Sequence, residues 1–263
     1  AHSLEIFYTL EVPGVTVARK PDVFTIETRH GALQLVALPW VTRSALLTRD
    51  QYTGLSLEEI NQTLLEKLDK VLAALFANLR PDLPTIMTIH GTVQGAVFGS
   101  ERSVMLGYDL TLPRSLLNHP LLSYVAMGHI HKHQSLGEDP PIVYPGSPER
   151  IDFGEASEDK GFVMVELDTP GQPASWRFHK VNARSFVSIT VDAPAEAPTA
   201  AIVAAIEQRP IADAVVKLII RTTPEIEKFT SLLAGYVSPF VGDLRTVAAA
   251  LTVALLVAII RSA

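Results

Sequence analysis

The chain has 263 residues, 48% of them hydrophobic and 19% charged, with a formal net charge of −6 and no cysteine. That length allows one domain, or a domain plus a small module, and the composition excludes a disordered chain. The missing cysteine excludes disulfides and thiolate metal sites and suits a reducing cytoplasm, and the negative charge disfavours a protein that grips DNA over its whole surface.

Taken in chain order, strand and helix signals alternate, which is an α/β pattern. Residues 34–39 form an apolar run with a β-branched residue and read as a strand. Ser56-Leu57-Glu58-Glu59 is a capping box. It opens a helix with apolar residues at Ile60, Leu64, Leu68, Val71, Leu72, Leu75 and Leu79, ended before Pro81. Glu66, Lys67, Asp69 and Lys70 read as its solvated face. A strand over 85–89 ends in His90, and another is expected over Val104–Leu110. A short helix spans Pro113–Asn118, with proline in its first turn. Further strands are expected at 124–127, 142–144, 161–168 and 175–181, the last two joined by the turn-rich Thr169-Pro170-Gly171-Gln172-Pro173.

A boundary falls near Asn182. Beyond it come a strand over 186–191, a Pro/Ala linker over 193–198 and a helix capped by Thr199. A strand over 214–221 follows, and Pro224 could open another helix. The stretch Thr246–Ile260 carries no charge and lies between Arg245 and Arg261. It is shorter than the ~20 residues a membrane helix needs. A buried helix, a foreign terminus and a membrane contact compete for it, and a composition of alanine and valine with few bulky aromatics disfavours the last.

The chemistry concentrates in three histidines. His90 ends one predicted core strand, and Gly128-His129-Ile130-His131 ends another. Neutral imidazole is the commonest nitrogen ligand for a transition metal, and ligands in open α/β sheets bind outside the carboxyl ends of strands. These placements suggest one metal centre, with imidazole nitrogens within roughly 7 Å of a common point. Gly128 would permit a close backbone turn. His2, His30, His119, His133 and His179 read as ordinary solvated side chains. Arg102, Arg114, Lys132 and Arg150 are the local cations that could meet DNA phosphates.

Residues 86–155 resemble the calcineurin-like metallophosphoesterases, and within them the SbcD nuclease family. The residues that carry the likeness are His90-Gly91-Thr92-Val93-Gln94-Gly95-Ala96, then Gly128-His129-Ile130-His131, then Tyr144-Pro145-Gly146-Ser147-Pro148-Glu149-Arg150 with Phe153-Gly154-Glu155. The likeness extends over about residues 20–230. The family's opening Asp-x-His, Gly-Asp and Gly-Asn-His-Asp motifs have no counterpart in a matching place. The chain begins at Ala1 rather than methionine, so a fragment that starts after those motifs is the simplest account.

The resemblance implies a partial metallophosphoesterase β-sandwich flanked by helices, followed by a small α+β capping domain. The expected division is 1–181 for the C-terminal part of the nuclease domain, 182–242 for the capping domain and 243–263 for an apolar tail. It further implies two divalent metal ions, manganese in this family, with His90 and His129 on one ion and His131 on the other. The catalytic histidine would lie in the missing N-terminal part. The implied activity is phosphodiester hydrolysis of DNA ends and hairpins in the cytoplasm. The implied partner is an SbcC-type ATPase, within a homodimer of the full-length protein.

Three ligands without the bridging carboxylate would leave the chain inactive by itself, and core strands stripped of neighbours would leave Ile86, Ile89, Val125 and Met127 partly uncovered. A non-catalytic module that docks to the ATPase is the alternative. The residues after His131 do not complete the His-x-His-x-Asp-His motif of a metallo-β-lactamase site, and a cupin would need a glutamate better placed than Glu138.

Overall fold

The computed structural model describes residues 5–42, 46–48, 53–99, 109–194, 196–222 and 255–261. It is mixed α/β, mostly sheet with few helices, and its described residues form two compact units. One draws on residues 1–147 and 161–181, the other on 148–160 and 182–263. Residues 148–160, placed with the first domain by the sequence reading, therefore pack in the second unit.

The first unit opens with a short helix, α1 (Glu5–Thr9), then a hairpin of β1 (Asp22–Thr28) and β2 (Gly31–Leu38). The capping box is present at Ser56. Its hydroxyl accepts from the Glu59 amide, and the Glu59 carboxylate accepts from the Ser56 amide. The helix it starts, α2 (Leu57–Phe76), buries Ile60, Leu64, Leu68 and Leu72, one residue per turn on one face. Lys67 is not merely solvated, because its ammonium donates to the Leu46 carbonyl.

Next come β3 (Thr85–His90), β4 (Thr92–Val93), β5 (Thr111–Leu112), β6 (Leu122–Gly128), β7 (Gln134–Glu138) and β8 (Pro141–Tyr144). The region expected as a strand over Val104–Leu110 lies outside the described residues up to 108, and the strand that follows is only Thr111–Leu112. The short helix after Pro113 is a 3-10 turn, Arg114–Leu117.

The main sheet has the order β1-β2-β3-β6-β8-β7. β2, β3, β6 and β8 run parallel, and β1 and β7 close the two edges in antiparallel pairing. The carboxyl ends of the four parallel strands therefore lie at one end of the sheet, where such sheets bind ligands.

Helix α2 covers one face of this sheet, with Leu68 and Leu72 against Val36, Leu38, Met87, Ile89, Val125 and Met127. The other face packs Ile86, Tyr124 and Val143 against Val163, Val165 and Trp176. Those last three lie on a hairpin of β9 (Gly161–Glu166) and β10 (Ser175–Lys180). Ile89, Val125 and Met127 are thus fully buried, against the expectation that they are partly uncovered, whereas Ile86 is only partly buried, as expected. The β1–β2 hairpin supplies the neighbour that β3 needs, and β1 was not legible in the sequence.

In the second unit, β11 (Phe186–Asp192), β12 (Val215–Thr222) and β13 (Leu255–Arg261) form a parallel sheet. Helix α3 (Pro198–Glu207) makes the crossover between the first two and buries Ile202 among Ile189, Val191, Leu218 and Ile220. Its N-cap is Ala197, with no side-chain cap, and Pro198 takes the first turn. Thr199 thus lies inside the helix rather than capping it. Residues 255–261 of the apolar tail form a strand, not a buried helix. A helix after Pro224 would lie outside the described residues. Among the described residues, no helix is long and apolar enough to cross a membrane.

The segment 148–160 is held in this unit by a buried charge network. Lys160 lies 2.8 Å from Glu155 and 2.9 Å from Glu158, with Lys160 and Glu155 fully buried. The Arg150 guanidinium donates to the carbonyls of Glu155, Glu158, Ala183 and Arg184. Arg150 is therefore committed to the fold rather than held out for a phosphate. Removing one partner of a buried pair strands the other charge. Lys160→Met is expected to lower stability by ~3–5 kcal/mol in urea denaturation, and a loss under ~1 kcal/mol would show that Glu155 is not held as a charge.

Candidate metal centre

The site is built at the carboxyl ends of the parallel strands. Register pairs His90 with Gly128, the last residues of β3 and β6. A methyl group on Gly128 would stand 3.0 Å from His90 Nδ1. Glycine there gives the His90 ring room, rather than turning the chain. The turn is made one residue on, where His129 has φ of 103°. That conformation is costly for a residue with a side chain and persists only when its surroundings enforce it.

The surroundings are specific. The rings of His90 and His129 have centroids 5.3 Å apart, and Trp40 meets both, at 5.6 and 4.7 Å. His129 Nε2 donates to Asp109 Oδ2 at 3.0 Å, and the same oxygen accepts from the Thr92 hydroxyl at 2.9 Å. The His129 and Asp109 side chains are 10% and 9% exposed. Asp109 Oδ1 is buried with no hydrogen-bond partner. Ile130 is buried in the main core and pins the loop between the two histidines.

His90 and His129 are thus brought together. His131 follows on the same loop and is close enough for its charge to be felt at His90. Burial holds the His90 imidazole below its ordinary value; protonated His129 and His131 push the same way, and Asp109 opposes them. A shallow cleft lined by Trp40, Val41, His90, Gly91, Leu110 and Leu112 opens beside the pair.

Two loops carry these histidines, and the Tyr144-Pro145-Gly146-Ser147 turn holds both. The Tyr144 hydroxyl donates to the Gly91 carbonyl at 2.7 Å and accepts from the Val93 amide at 3.0 Å, fixing the loop after His90. Burial pushes this phenol up to about 12, so it stays protonated and can donate. The Tyr144 carbonyl accepts from His133 Nδ1 at 2.8 Å, and the Ser147 amide donates to the His131 carbonyl at 3.1 Å. Gly146 has φ of +81°, and a Cβ there would meet the His131 carbonyl oxygen at 2.7 Å. Only glycine lets the turn close onto the histidine loop.

Three of the histidines read as solvated are packed instead. His133 stacks on Phe178 at 4.0 Å, His179 on Phe162 at 5.3 Å and His119 on Phe76 at 4.6 Å. Of the proposed DNA-contacting cations, Arg114 donates to the carbonyls of Gln94 and Leu136. Lys132 is exposed, and Arg102 lies outside the described residues. Trp40 and Asp109 had no signal in the sequence. Asp109 reaches His129 and Thr92 only because β4 pairs with β5, setting residues 92 and 111 side by side.

Two imidazoles and a carboxylate with a free oxygen are donors suited to Mn²⁺ or a similar divalent ion. Among the described residues, no group of three His, Asp or Glu side chains meets the geometry of a metal-binding cluster. The donors fit part of such a centre and do not close it.

Comparison with known proteins bears on what that part belongs to. No protein-family model matches the chain. A stretch of 133 residues, 50% of this chain, is 29% identical to the SbcD component of the SbcCD nuclease of Rhodobacter capsulatus, of which it covers 31%. A stretch of 84 residues, 32% of this chain, is 34% identical to the SbcD components of the SbcCD nucleases of Escherichia coli K12 and O157:H7, covering 20% of each. The chain resembles SbcD-type nuclease subunits. It spans a third or less of the length of these curated relatives.

Two predictions test this architecture. Tyr144→Phe would leave the buried Val93 amide and Gly91 carbonyl without their partner and is expected to cost ~1–3 kcal/mol in urea unfolding. An unchanged midpoint would show that the staple is dispensable. The second concerns pH. Burial lowers the His119 pKa, and the His119 Nδ1 lone pair accepts from the Leu121 amide. The folded state thus binds this proton less readily than the unfolded chain. The stabilisation is present above the unfolded pKa of ~6.5 and is lost as pH falls below it. The drop in urea midpoint between pH 7.5 and 5.5 should be smaller in His119→Gln than in the parent chain.

Proposed function

We propose that this chain is part of a DNA nuclease subunit of the SbcD type, and that His90, His129 and His131 are ligands of a divalent metal centre. The observation that carries the reading is the meeting of His90 and His129 at the ends of adjacent parallel strands, with Asp109 and Trp40 around them. The architecture we assign is part of a metallophosphoesterase sandwich followed by a capping domain from residue 182.

In this reading His90 and His129 hold one ion and His131 the other. When bound, two such ions supply a metal-activated water and a clamp on the phosphate for in-line cleavage of a phosphodiester. The chain's own residues do the preparatory work. Gly128 gives the His90 ring room, Gly146 lets the supporting turn close on the histidine loop, Tyr144 staples the loops, and Trp40 packs against both imidazoles. Lys132, exposed between His131 and His133, is the cation that this reading assigns to a backbone phosphate. DNA ends are the substrate class, manganese the metal, an SbcC-type ATPase the partner, and the cytoplasm the compartment. The full-length protein would act as a homodimer.

The second reading is a non-catalytic module that docks to the ATPase. The observation that favours it is that no three donors close around an ion among the described residues.

Trp40 offers a direct test, since the chain has only two tryptophans, Trp40 and Trp176. In a Trp176→Phe background, Mn²⁺ is expected to quench Trp40 fluorescence saturably. His129→Ala should weaken the effect by at least ~10-fold, the order of change that loss of even a ligand's support produces. Quenching that does not saturate, or that survives in both His90→Ala and His129→Ala, would sink the metal reading and favour the docking module. We further expect that the chain alone does not cut linear duplex DNA with Mn²⁺. Cleavage abolished by His129→Ala would show that it carries a complete centre.

A further inference from the structure

The Asp109 side chain belongs to none of the motifs that point to the metal centre, yet it makes the closest polar contact to His129. We propose that Asp109 is a positioning residue: it accepts the Nε2–H of His129, fixes that ring, and leaves Nδ1 as the nitrogen with a lone pair to offer. The purpose of this contact rests on the metal reading above, but its existence does not.

Four observations carry it. First, the contact is 3.0 Å and both groups are about nine-tenths buried, so water does not compete for it. Second, the carboxylate is itself oriented, because Thr92 donates its hydroxyl to the same oxygen at 2.9 Å. Thr92 in turn is fixed by the β4–β5 pairing. Third, His129 has a backbone φ of 103°, a conformation that needs outside support, and the Asp109 bond and the Trp40 contact provide it. Fourth, Asp109 is not satisfied as a purely structural carboxylate would be. Its Oδ1 is buried with no hydrogen-bond partner.

A buried carboxylate can only accept, so a hydrogen bond to an imidazole nitrogen places the proton on that nitrogen. Metal-ligating histidines commonly donate their other N–H to a carboxylate, which sets the tautomer and raises the basicity of the ligating nitrogen. His133 shows the contrasting case on the same loop. It gives its Nδ1–H to a backbone carbonyl and stacks on Phe178, a structural arrangement.

Long-range 1H–15N NMR of the metal-free chain reads these protons. A downfield, exchange-protected imidazole proton is expected on His129 Nε2, assigned by its disappearance in His129→Ala. In Asp109→Ala it should be lost, and in Asp109→Asn it should move upfield and exchange faster. The His133 Nδ1 proton should stay in both variants, which separates loss of one contact from loosening of the loop. If Asp109→Ala does not fold, by circular dichroism, Asp109→Asn alone decides. A His129 Nε2 proton equally downfield and protected in the folded variants overturns the proposal, as does a parent chain in which His129 carries its proton on Nδ1. An intact His129 signal with no saturable Mn²⁺ effect on Trp40 would count against the metal reading and leave the Asp109–His129 pair standing.

Discussion

A single buried hydroxyl, that of Tyr144, ties the candidate site together. Tyr144 ends β8, and its one side-chain oxygen both donates and accepts, to two backbone groups of the loop that follows His90. The same residue's carbonyl holds His133, on the loop that follows β6. Three neighbouring parallel strands are thereby joined at their carboxyl ends through one residue. Backbone groups in such loops have no ladder partners, and buried ones must find others. Tyr144 supplies both a donor and an acceptor in one buried place. The rest of the turn depends on this anchor, since Gly146 and Ser147 can reach the His131 carbonyl only if Tyr144 is seated.

The geometry of the histidines follows from strand register. Parallel pairing in which His90 stands opposite Gly128 puts an imidazole beside a residue without a side chain. A shift of one residue would set that ring against Met127 or His129 and turn it to the other face of the sheet. The register is held from below, because Met87, Ile89, Val125 and Met127 all pack under α2. Core packing and the placing of the candidate ligands are here one constraint. The hydrophobic pattern that buries alternate residues of β3 also decides which way His90 faces.

That much was legible in the sequence. The apolar runs before His90 and Gly128, the capping box at Ser56 and the apolar stripe of α2 each obey a local rule, and each appears where the rule places it. The tertiary partners were not legible. β1 is half-exposed, with no strong alternation, and it exists because β2 is there to pair with it. The tail strand Leu255–Arg261 has a composition that suits helix or strand, and pairing with β12 decides between them. Thr199 has the right chemistry for a cap, but Pro198 fixes the preceding backbone and takes the first helical position. Asp109 was invisible because a carboxylate announces nothing until its partners, 17 and 20 residues away, are folded beside it.

The contrast between the two charge clusters separates structure from chemistry. Lys160, Glu155 and Glu158 are buried together, and Arg150 spends its donors on four carbonyls. That network is closed on itself and has nothing to offer a ligand. The cluster of His90, His129 and Asp109 is open. One imidazole is exposed, one ring is held by a strained backbone conformation, and one carboxylate oxygen lacks a partner. Folding alone would favour relaxing each of these features, by glycine at 129 or an apolar residue at 109. Their coexistence within one corner beside Trp40 is the structural ground on which the proposed metal centre rests.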